Sequence, residues 1–528
     1  MGWPNNFAEY TYDSNGNVVG LNNPYSKKDI VLIQNGIGYS ISDSYNQNPG
    51  DLLEALSSTS GWTTGVTGTG AISNSTFDDG NACVKFATTL GAGGCNITKN
   101  INIPYDQTTV LGMWIEVSDP GLLPSIEVLI SNELGSFTNY NTLKIGNSGG
   151  YTWKGMYFLN MPISSSTVGG GSFASAGTIQ TVRIRFLNVY KDQAATIKFR
   201  GLYKNKMARP KLNIAFDDGI NTQYTEAFRY MSRYGLVGTV AIVSNLIDTA
   251  SHMTLAQVQS MYAAGWDLVG HTNNHISFNS YSTNSLCQSQ TPGGAGALTM
   301  NGSVGTSTFD VARHVVARGN DQGRQLTIVG LDSAGEALTE TITLWSSTYW
   351  VVTQNLFTKV NSISIDAAAT GAITVGQSYS YDEMYTAVVG SRDWLINNGF
   401  PRGAYHFVFP QGEWNETALL ALSNAGIVSA RVVGGSLGFP QAGDFRKYQQ
   451  CGYGGGGAGL TATVLNGYRN EAINKGGIIT TYMHNIALTI STSADILRTE
   501  FQSFIDSTVS DVRDGKIDVI TATQIPVN

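Results

Sequence analysis

The pattern of apolar runs changes at Pro210, and this change limits the folds that the chain can adopt. Before it, over residues 41–206, short apolar strands are separated by clusters of Gly, Asn and Ser, which is typical of a β-sandwich or jelly roll. After it, apolar strands and amphipathic helices follow one another, as in a parallel α/β domain. We therefore expect a multidomain chain that combines all-β and α/β parts, the latter a distorted (β/α) barrel.

The α/β rhythm is interrupted once, over residues 283–378, where the sequence is β-rich again. Two alternating segments, 325–329 and 338–344, flank the turn residues that end at Gly335, and they predict a β-hairpin. We interpret this stretch as a β-sandwich insertion, since the remaining α/β part has the size of one barrel. The expected domains are a small turn-rich module at 1–40, a β-sandwich at 41–206, and the interrupted barrel at 207–528.

Charge and hydropathy exclude several kinds of partner. Lys and Arg number 31 against 38 Asp and Glu, a net charge of −7, which argues against binding to nucleic acid or to an anionic membrane surface. No run of about 18 apolar residues is present, so we expect no membrane insertion. The low charged fraction of 13% and the 61 glycines resemble an exported β-rich protein, yet no signal peptide is visible.

The four cysteines do not form a metal site, because none belongs to a CxxC pair or a Cys/His zinc spacing. Cys83 and Cys95 could form a disulfide. Buried free thiols are the preferred interpretation.

Polar side chains follow directly after three of the predicted strands of the barrel. They are Asp217 and Asp218 after the first, His271 and His275 after the second, and His484 after the third. The carboxyl ends of barrel strands are where such enzymes build their active sites. Two imidazoles and one carboxylate form a hydrolytic metal site that leaves room for water, and the second carboxylate is then free to act as a base.

Four segments in this order resemble the motifs of the polysaccharide deacetylase (NodB-homology, carbohydrate esterase) family. They are AFDDG at 215–219, HTNNH at 271–275, FVFPQGEWN at 407–415 and TYMHN at 481–485. The resemblance covers most of residues 207–528 once the insertion is set aside. It implies a distorted barrel and a metal-dependent hydrolase that removes acetyl groups from N-acetylated or O-acetylated sugars.

The resemblance also implies a role for each matching residue. Asp217 would be the general base and His484 the general acid, while Asp218, His271 and His275 would bind a divalent metal. Zinc is the expected ion, with Co²⁺, Ni²⁺ and Mn²⁺ as alternatives. The backbone amide near Gln411 would help to hold the oxyanion, and Trp414 is a candidate for the substrate groove.

The chain departs from the family pattern at two places. Many members carry an arginine two residues before the proline of the third motif, where it orients the catalytic aspartate, whereas this chain has Val408, as a subgroup of the family also lacks the arginine. The fourth motif is not clear, and Asp444 and Arg446 are the candidates for charges that tune Asp217 or His484. We interpret the remaining histidines as structural: His252, His314 and His406.

The β-rich parts resemble modules of bacteriophage virion proteins, in the insertion and in the opening YDSNGNVVGLNNP. This resemblance implies a tail spike or fibre enzyme, usually a homotrimer, that acts on an acetylated host capsule, O-antigen or exopolysaccharide and is located in the virion or otherwise outside cells. The module at 1–40 would attach the enzyme to the virion. The sandwich at 41–206 would bind carbohydrate or act as a spacer. The alternatives are a non-catalytic receptor-binding virion protein on an inactive deacetylase fold and a bacterial deacetylase of peptidoglycan or chitin.

Overall fold

The structure is a computed structural model. It describes residues 9–12, 18–22, 31–34, 37–40, 50–77, 80–117, 125–146, 155–188, 194–206, 209–280, 285–321, 323–344, 350–433, 450–454, 460–490 and 495–525. Within these ranges, every helix is too short or too polar to cross a bilayer. Near the start of the chain, two short antiparallel hairpins pair Glu9–Tyr12 with Val18–Asn22 and Val31–Gln34 with Ile37–Ser40.

The first large unit is a ten-stranded antiparallel sheet. Its strands are Asp51–Glu54, Thr63–Thr76, Ala82–Tyr105, Thr109–Val117, Ser125–Ser131, Tyr140–Gly146, Gly155–Pro162, Thr167–Gly170, Gly177–Asn188 and Ala195–Lys206. Alternate residues of these strands point into one apolar core, as Val182, Ile184 and Phe186 do. Cys83 and Cys95 are buried free thiols, which confirms the preferred interpretation.

The second unit is built on a ring of short parallel strands. They are β1 (Lys211–Phe216), β2 (Thr239–Ile242), β3 (Asp267–Gly270), β4 (His406–Val408), β5 (Ser429–Val433), β6 (Gln450–Gly454), β7 (Ile478–Met483) and β8 (Asp518–Ile520). The sheet order is β2-β3-β4-β5-β6-β7-β1-β8, and a further pairing of β1 with β2 closes the ring. All pairings are parallel, so the carboxyl ends of β1 to β8 lie at the same end of the sheet.

Helices cover the outside of this ring, as the periodicity of their apolar residues predicts. They are α1 (Leu255–Ala263), α2 (Tyr381–Asn397), α3 (Glu416–Asn424), α4 (Ala462–Lys475) and α5 (Arg498–Arg513). The sequence at Thr254 and Gln257 fits a capping box, and the structure has it at the start of α1. The spacing of Phe228, Met231 and Tyr234 predicts a further helix, and residues 223–234 form a continuous helical segment of mixed π, α and 3₁₀ geometry.

The apolar face formed by Leu497, Phe501, Phe504 and Ile505 predicts a last helix over about 494–505, but the helix begins later. Residues Asp495–Leu497 form a short parallel pair with Asn485–Ala487, and the side chain of Asn485 donates a hydrogen bond of 2.8 Å to the carboxylate of Asp495. This pairing holds the start of the segment extended, so α5 begins only at Arg498. The strand pair lies directly after His484 and therefore borders the candidate site.

The β-rich stretch between β3 and α2 forms two antiparallel sheets, of four and five strands. Its strands are Ser285–Gln290, Gly296–Ala297, Thr308–Arg313, Val315–Gly319, Gln325–Leu331, Ala337–Thr343, Val351–Val352, Phe357–Ile365 and Ile373–Gln377. The predicted hairpin is confirmed, with Gln325–Leu331 paired to Ala337–Thr343. The parallel and antiparallel sheets are the classes that the sequence predicts, whereas their division into domains stays a prediction.

Buried polar contacts join this β-rich stretch to the helices that follow it. The guanidinium of Arg313, which is 1% exposed, pairs with Asp310 within the stretch and with Glu383 of α2. The Nε2 atom of His314 lies 2.6 Å from the hydroxyl of Thr417 in α3. Residues Arg313 and His314 therefore anchor the insertion on the side of the ring that carries α2 and α3.

Candidate active site

The polar residues that follow β1 and β7 lie side by side because these strands are paired in register. Phe216 pairs with Met483 at the end of the two strands, so Asp217 and His484 occupy equivalent positions. The backbone amide of Asp217 donates a hydrogen bond of 2.9 Å to the carbonyl of Met483. The structure thus places the predicted base and the predicted acid at one edge of the ring.

The side chains of Asp218, His271 and His275 form a compact cluster with one potential ligand atom each, and these atoms all lie within 4.8 Å of one another. The Oδ1 atom of Asp218 is 3.4 Å from Nε2 of His271 and 3.3 Å from Nε2 of His275. Two ligand atoms at tetrahedral angles around a zinc ion, each at about 2.0–2.1 Å, are about 3.3–3.4 Å apart. The spacing therefore fits a divalent cation.

Two further observations support a cation in this cluster. The Oδ1 atom of Asp218 is buried and has no hydrogen-bond partner among the described residues, a costly arrangement unless a ligand satisfies it. The Nδ1 atom of His271 lies 2.7 Å from the carbonyl oxygen of Val408. A carbonyl only accepts, so Nδ1 carries the proton and Nε2 offers its lone pair to the cluster.

The charge states of the cluster also suit metal binding. Burial raises the pKa of Asp218, but the nearby ring of His271 and the positive charges that His271, His275 and His484 carry when protonated lower it more, so the net pKa lies well below its usual range. Burial and the neighbouring His271 lower the pKa of His275. A carboxylate and neutral imidazoles are the protonation states that bind divalent metals.

The backbone around the cluster is held in an unusual conformation. Asp218, Thr272 and His275 have φ values of 78°, 62° and 56°, in the left-handed region that non-glycine residues rarely adopt. Such strained residues concentrate at functional sites.

Asp217 is paired with an arginine that the sequence analysis did not identify. Both its oxygens lie close to Nη2 of Arg431, at 2.5 and 2.6 Å, and both side chains are buried. The guanidinium also lies 4.6 Å from the ring centre of Tyr482. Arg431 on β5 is the register partner of Val408 on β4. A cation therefore reaches Asp217 from the strand next to the one where the family pattern places it.

His484 is half-buried beside this pair. Its Nδ1 atom is buried and has no hydrogen-bond partner among the residues that the structure describes. Gln223, also missed from the sequence, donates from Nε2 to the backbone carbonyls of Asp217 and His484, at 2.5 and 3.1 Å. Gln223 thereby ties together the two chain segments that carry the predicted base and acid.

The other predicted site residues are placed as follows. Gln411 is exposed and left-handed, with φ 57°, in the turn after β4. Trp414 is half-buried against apolar clusters, and its carbonyl accepts from Asn279 at 2.7 Å, so its groove role stays a prediction. Asp444 and Arg446 lie outside the described residues.

The remaining histidines contact hydroxyl groups and are not members of the cluster. His252 lies near Thr249 and Ser251, His314 near Thr417, and His406 near Ser429. Burial lowers the pKa of His406 to about 4. None of the three belongs to the cluster of Asp218, His271 and His275 found among the described residues.

The sequence around β1 to β3 matches a known family. The family model "Polysaccharide deacetylase" matches residues 204–291. The curated protein "Putative polysaccharide deacetylase YxkH" of Bacillus subtilis is 30% identical over 66 residues, 12% of this chain and 24% of YxkH, so the chain spans about a quarter of that relative. The family match includes Asp217, Asp218, His271 and His275, ends before His484, and supports a polysaccharide deacetylase function.

Solved structures similar to parts of the chain include enzymes and a binding module. A family 4 carbohydrate esterase from Streptomyces lividans in complex with acetate has a TM-score of 0.29 and 8% identity, covering 61% of this chain and 97% of its own. Streptococcus pyogenes deacetylase PplD in complex with acetate has a TM-score of 0.24 and 13% identity, covering 45% and 62%. A family 11 carbohydrate-binding module from Clostridium thermocellum has a TM-score of 0.23 and 10% identity, covering 29% and 93%.

Proposed function

We propose that the chain is a metal-dependent deacetylase that hydrolyses N-acetyl or O-acetyl groups on a bacterial surface polysaccharide. The observation that carries the proposal is the cluster of Asp218, His271 and His275, with a bare carboxylate oxygen, next to the Asp217–Arg431 pair. A ligand cluster beside a separately held carboxylate is the arrangement that metal-assisted hydrolysis requires.

In this proposal Asp218, His271 and His275 hold a divalent cation. Zn²⁺ is the first choice, with Co²⁺, Ni²⁺ or Mn²⁺ as alternatives. When bound, such an ion acts as a Lewis acid that lowers the pKa of water and polarises a carbonyl. In this proposal the acetyl group lies on the side of His275, whose ring is partly exposed, because His271 is buried.

The protein's own groups perform the proton transfers. Asp217 accepts the proton of the attacking water, and Arg431 holds both its oxygens so that the carboxylate keeps one orientation. His484 donates a proton to the departing sugar nitrogen or oxygen as the acyl bond breaks. Water thus adds across that bond, and acetate and a free amine or hydroxyl leave. The backbone amide near Gln411 supplies an N–H group to the oxyanion.

We further propose that the enzyme is part of a phage tail spike or fibre, a homotrimer located in the virion, that acts on host capsule, O-antigen or exopolysaccharide. The resemblance of the insertion and of the opening segment to virion modules supports this context, and the net charge of −7 fits a partner that is neither nucleic acid nor membrane. Light scattering of the purified protein tests the trimer, and a monomer would contradict it.

The activity is tested by acetate release from a panel of acetylated capsule, lipopolysaccharide, peptidoglycan and chitin fragments, together with metal analysis. We expect about one divalent ion per chain and release from one class of surface polymer. Asp217→Asn and His271→Ala should abolish release, whereas His252→Ala, outside the cluster, should not. A metal-free protein that binds cells without releasing acetate would favour the receptor-binding alternative, and release from peptidoglycan or chitin alone would favour the bacterial deacetylase.

A further inference from the structure

Two segments that carry predicted site residues are clamped together just beyond the site. The hydroxyl of Ser277, two residues after His275, donates to the carboxylate of Glu413, two residues after Gln411. Both side chains are buried. This contact joins the segment of the metal ligands to the turn with the expected oxyanion donor.

The clamp continues through Asn279, which is almost fully buried. Its Nδ2 atom donates a hydrogen bond of 2.7 Å to the carbonyl of Trp414, and its Oδ1 atom accepts one of 2.8 Å from Nδ2 of Asn415. Asn415 also caps α3 by accepting from the amide of Ala418. The chain after the turn is therefore fixed by side-chain contacts on one side and by a helix start on the other.

Glu413, which contacts Ser277, also contacts the β insertion. The indole of Trp350 in the insertion hydrogen-bonds to the carboxyl of Glu413, and the charge of Arg318 acts on the same group. Arg318 in turn lies over the ring of Trp350, 4.5 Å from its centre. Glu413 thus has one partner beside the metal ligands and one in the insertion.

Burying an acidic side chain between two segments is energetically unfavourable. Burial raises the pKa of Glu413 to about 7, although Arg318 and Trp350 act in the opposite direction. The turn before it is strained at Gln411 and tightly packed at Gly412, where an added Cβ would lie 2.3 Å from a side-chain carbon of Val433. Strained backbone persists only where the surroundings over-determine it.

We infer that Glu413 is a positioning residue that holds the Gln411 turn in place, and that Trp350 makes the β insertion a working part of the active site. The inference rests on the proposed deacetylase function. The Ser277 and Trp350 contacts fix the carboxyl from two sides, and loss of either should misplace the turn. A misplaced turn should slow the chemical step, since a shift of about 1 Å can reduce a rate by about 10²-fold.

The test compares Glu413→Ala, Glu413→Gln and Trp350→Phe with Glu416→Ala, an exposed glutamate three residues further on. We expect Glu413→Ala to lower kcat by roughly 10- to 100-fold with KM changed by less than about 3-fold and full metal content. Glutamine retains the size and an accepting oxygen, so Glu413→Gln should recover to within about 5-fold of the wild type. Trp350→Phe keeps the ring but loses the donor, and we expect a loss of about 3- to 10-fold.

Unchanged kcat in Trp350→Phe, or in a folded Glu413→Ala, would overturn the inference. Hydrogen exchange separates this result from a failure of the proposed function. Even if the wild type releases no acetate, amides of residues 411–413 should exchange at least about 10-fold faster in Glu413→Ala and Trp350→Phe than in Glu416→Ala. Equal exchange rates in all variants would overturn it independently of any activity.

Discussion

Asp217 and Asp218 are neighbours in the chain, yet the regions around their side chains have opposite properties. Asp217 is buried in the ring and both its oxygens contact Arg431. Asp218 is turned to the mouth of the ring, where its buried Oδ1 has no hydrogen-bond partner among the described residues and faces two imidazoles. One carboxylate is satisfied by the protein itself, and the other is arranged for a ligand.

The difference shows how one short segment supplies two kinds of chemistry. Enzymes give similar carboxyl side chains different roles, such as base and ligand or acid, by placing them in different surroundings. Here the separation follows from the positive φ of Asp218 and from the position of Arg431 on β5. We call Asp217 and Arg431 the interior side, and Asp218, His271 and His275 the mouth side. The two sides should therefore respond differently to substitution and to metal removal.

The largest effect is expected from substituting the two aspartates. Asp217→Asn should lower acetate release by about 10²–10⁴-fold, the range for loss of a general base, with the metal content unchanged. Asp218→Asn should lower it at least as much, together with loss of the metal. Metal analysis by mass spectrometry and initial rates check both. Equal metal content in the two variants would show that the two regions are not distinct.

The interior pair makes a prediction about stability. Arg431→Met leaves the buried charge of Asp217 without its partner, and we expect a loss of about 3–5 kcal/mol in the free energy of unfolding. Asp217→Asn in the same chain should restore most of that loss. Denaturant unfolding of the two single variants and the double variant measures the coupling, and additive effects would contradict a buried pair.

Metal removal should act through the mouth side alone. At a metal concentration about 100-fold above the dissociation constant, binding adds about 2.7 kcal/mol of stability, so a chelator should lower Tm of the wild type. Asp217→Asn should show the same chelator-dependent shift and Asp218→Asn should show none. Thermal unfolding with and without chelator is the measurement. A shift in Asp218→Asn would place the metal elsewhere.

A smaller effect tests whether Asp217 needs only a nearby arginine or needs that arginine to lie on β5. Val408 and Arg431 are register partners, so exchanging them moves the guanidinium by one strand. We expect Val408→Arg with Arg431→Val to be about 10-fold more active than Arg431→Val alone, since an arginine at 408 restores the family arrangement. Val408→Arg alone is the control. No recovery in the double variant would show that Asp217 requires the cation from β5.

The mouth side could be read from the sequence, because its ligands follow directly after apolar strands. Asp218 and His271 come at the ends of such runs, which form β1 and β3. The interior side could not, because the partner of Asp217 depends on which strands are adjacent and in what register. A single arginine within the buried strand SARVV was the available signal.

The contacts of the insertion were also beyond the sequence pattern. Nothing in the alternation of apolar residues relates Trp350 to Glu413, since their approach depends on how the insertion packs on α2 and α3. The late start of α5 has a similar cause, because pairing with residues 485–487 overrides the helical periodicity of residues 495–497. In both cases tertiary contacts decide between local alternatives.

The left-handed residues at the site have a consequence for the history of such a chain. Of the six non-glycine residues with positive φ in the described part of the chain, four lie here: Asp218, Thr272, His275 and Gln411. Glycine would relieve about 1–3 kcal/mol at each position, but it carries no ligand atom. Selection for stability alone would therefore replace these four residues with glycine and leave the ring of strands unchanged. A descendant that kept the scaffold but abandoned the chemistry would be recognised by glycines at these four positions.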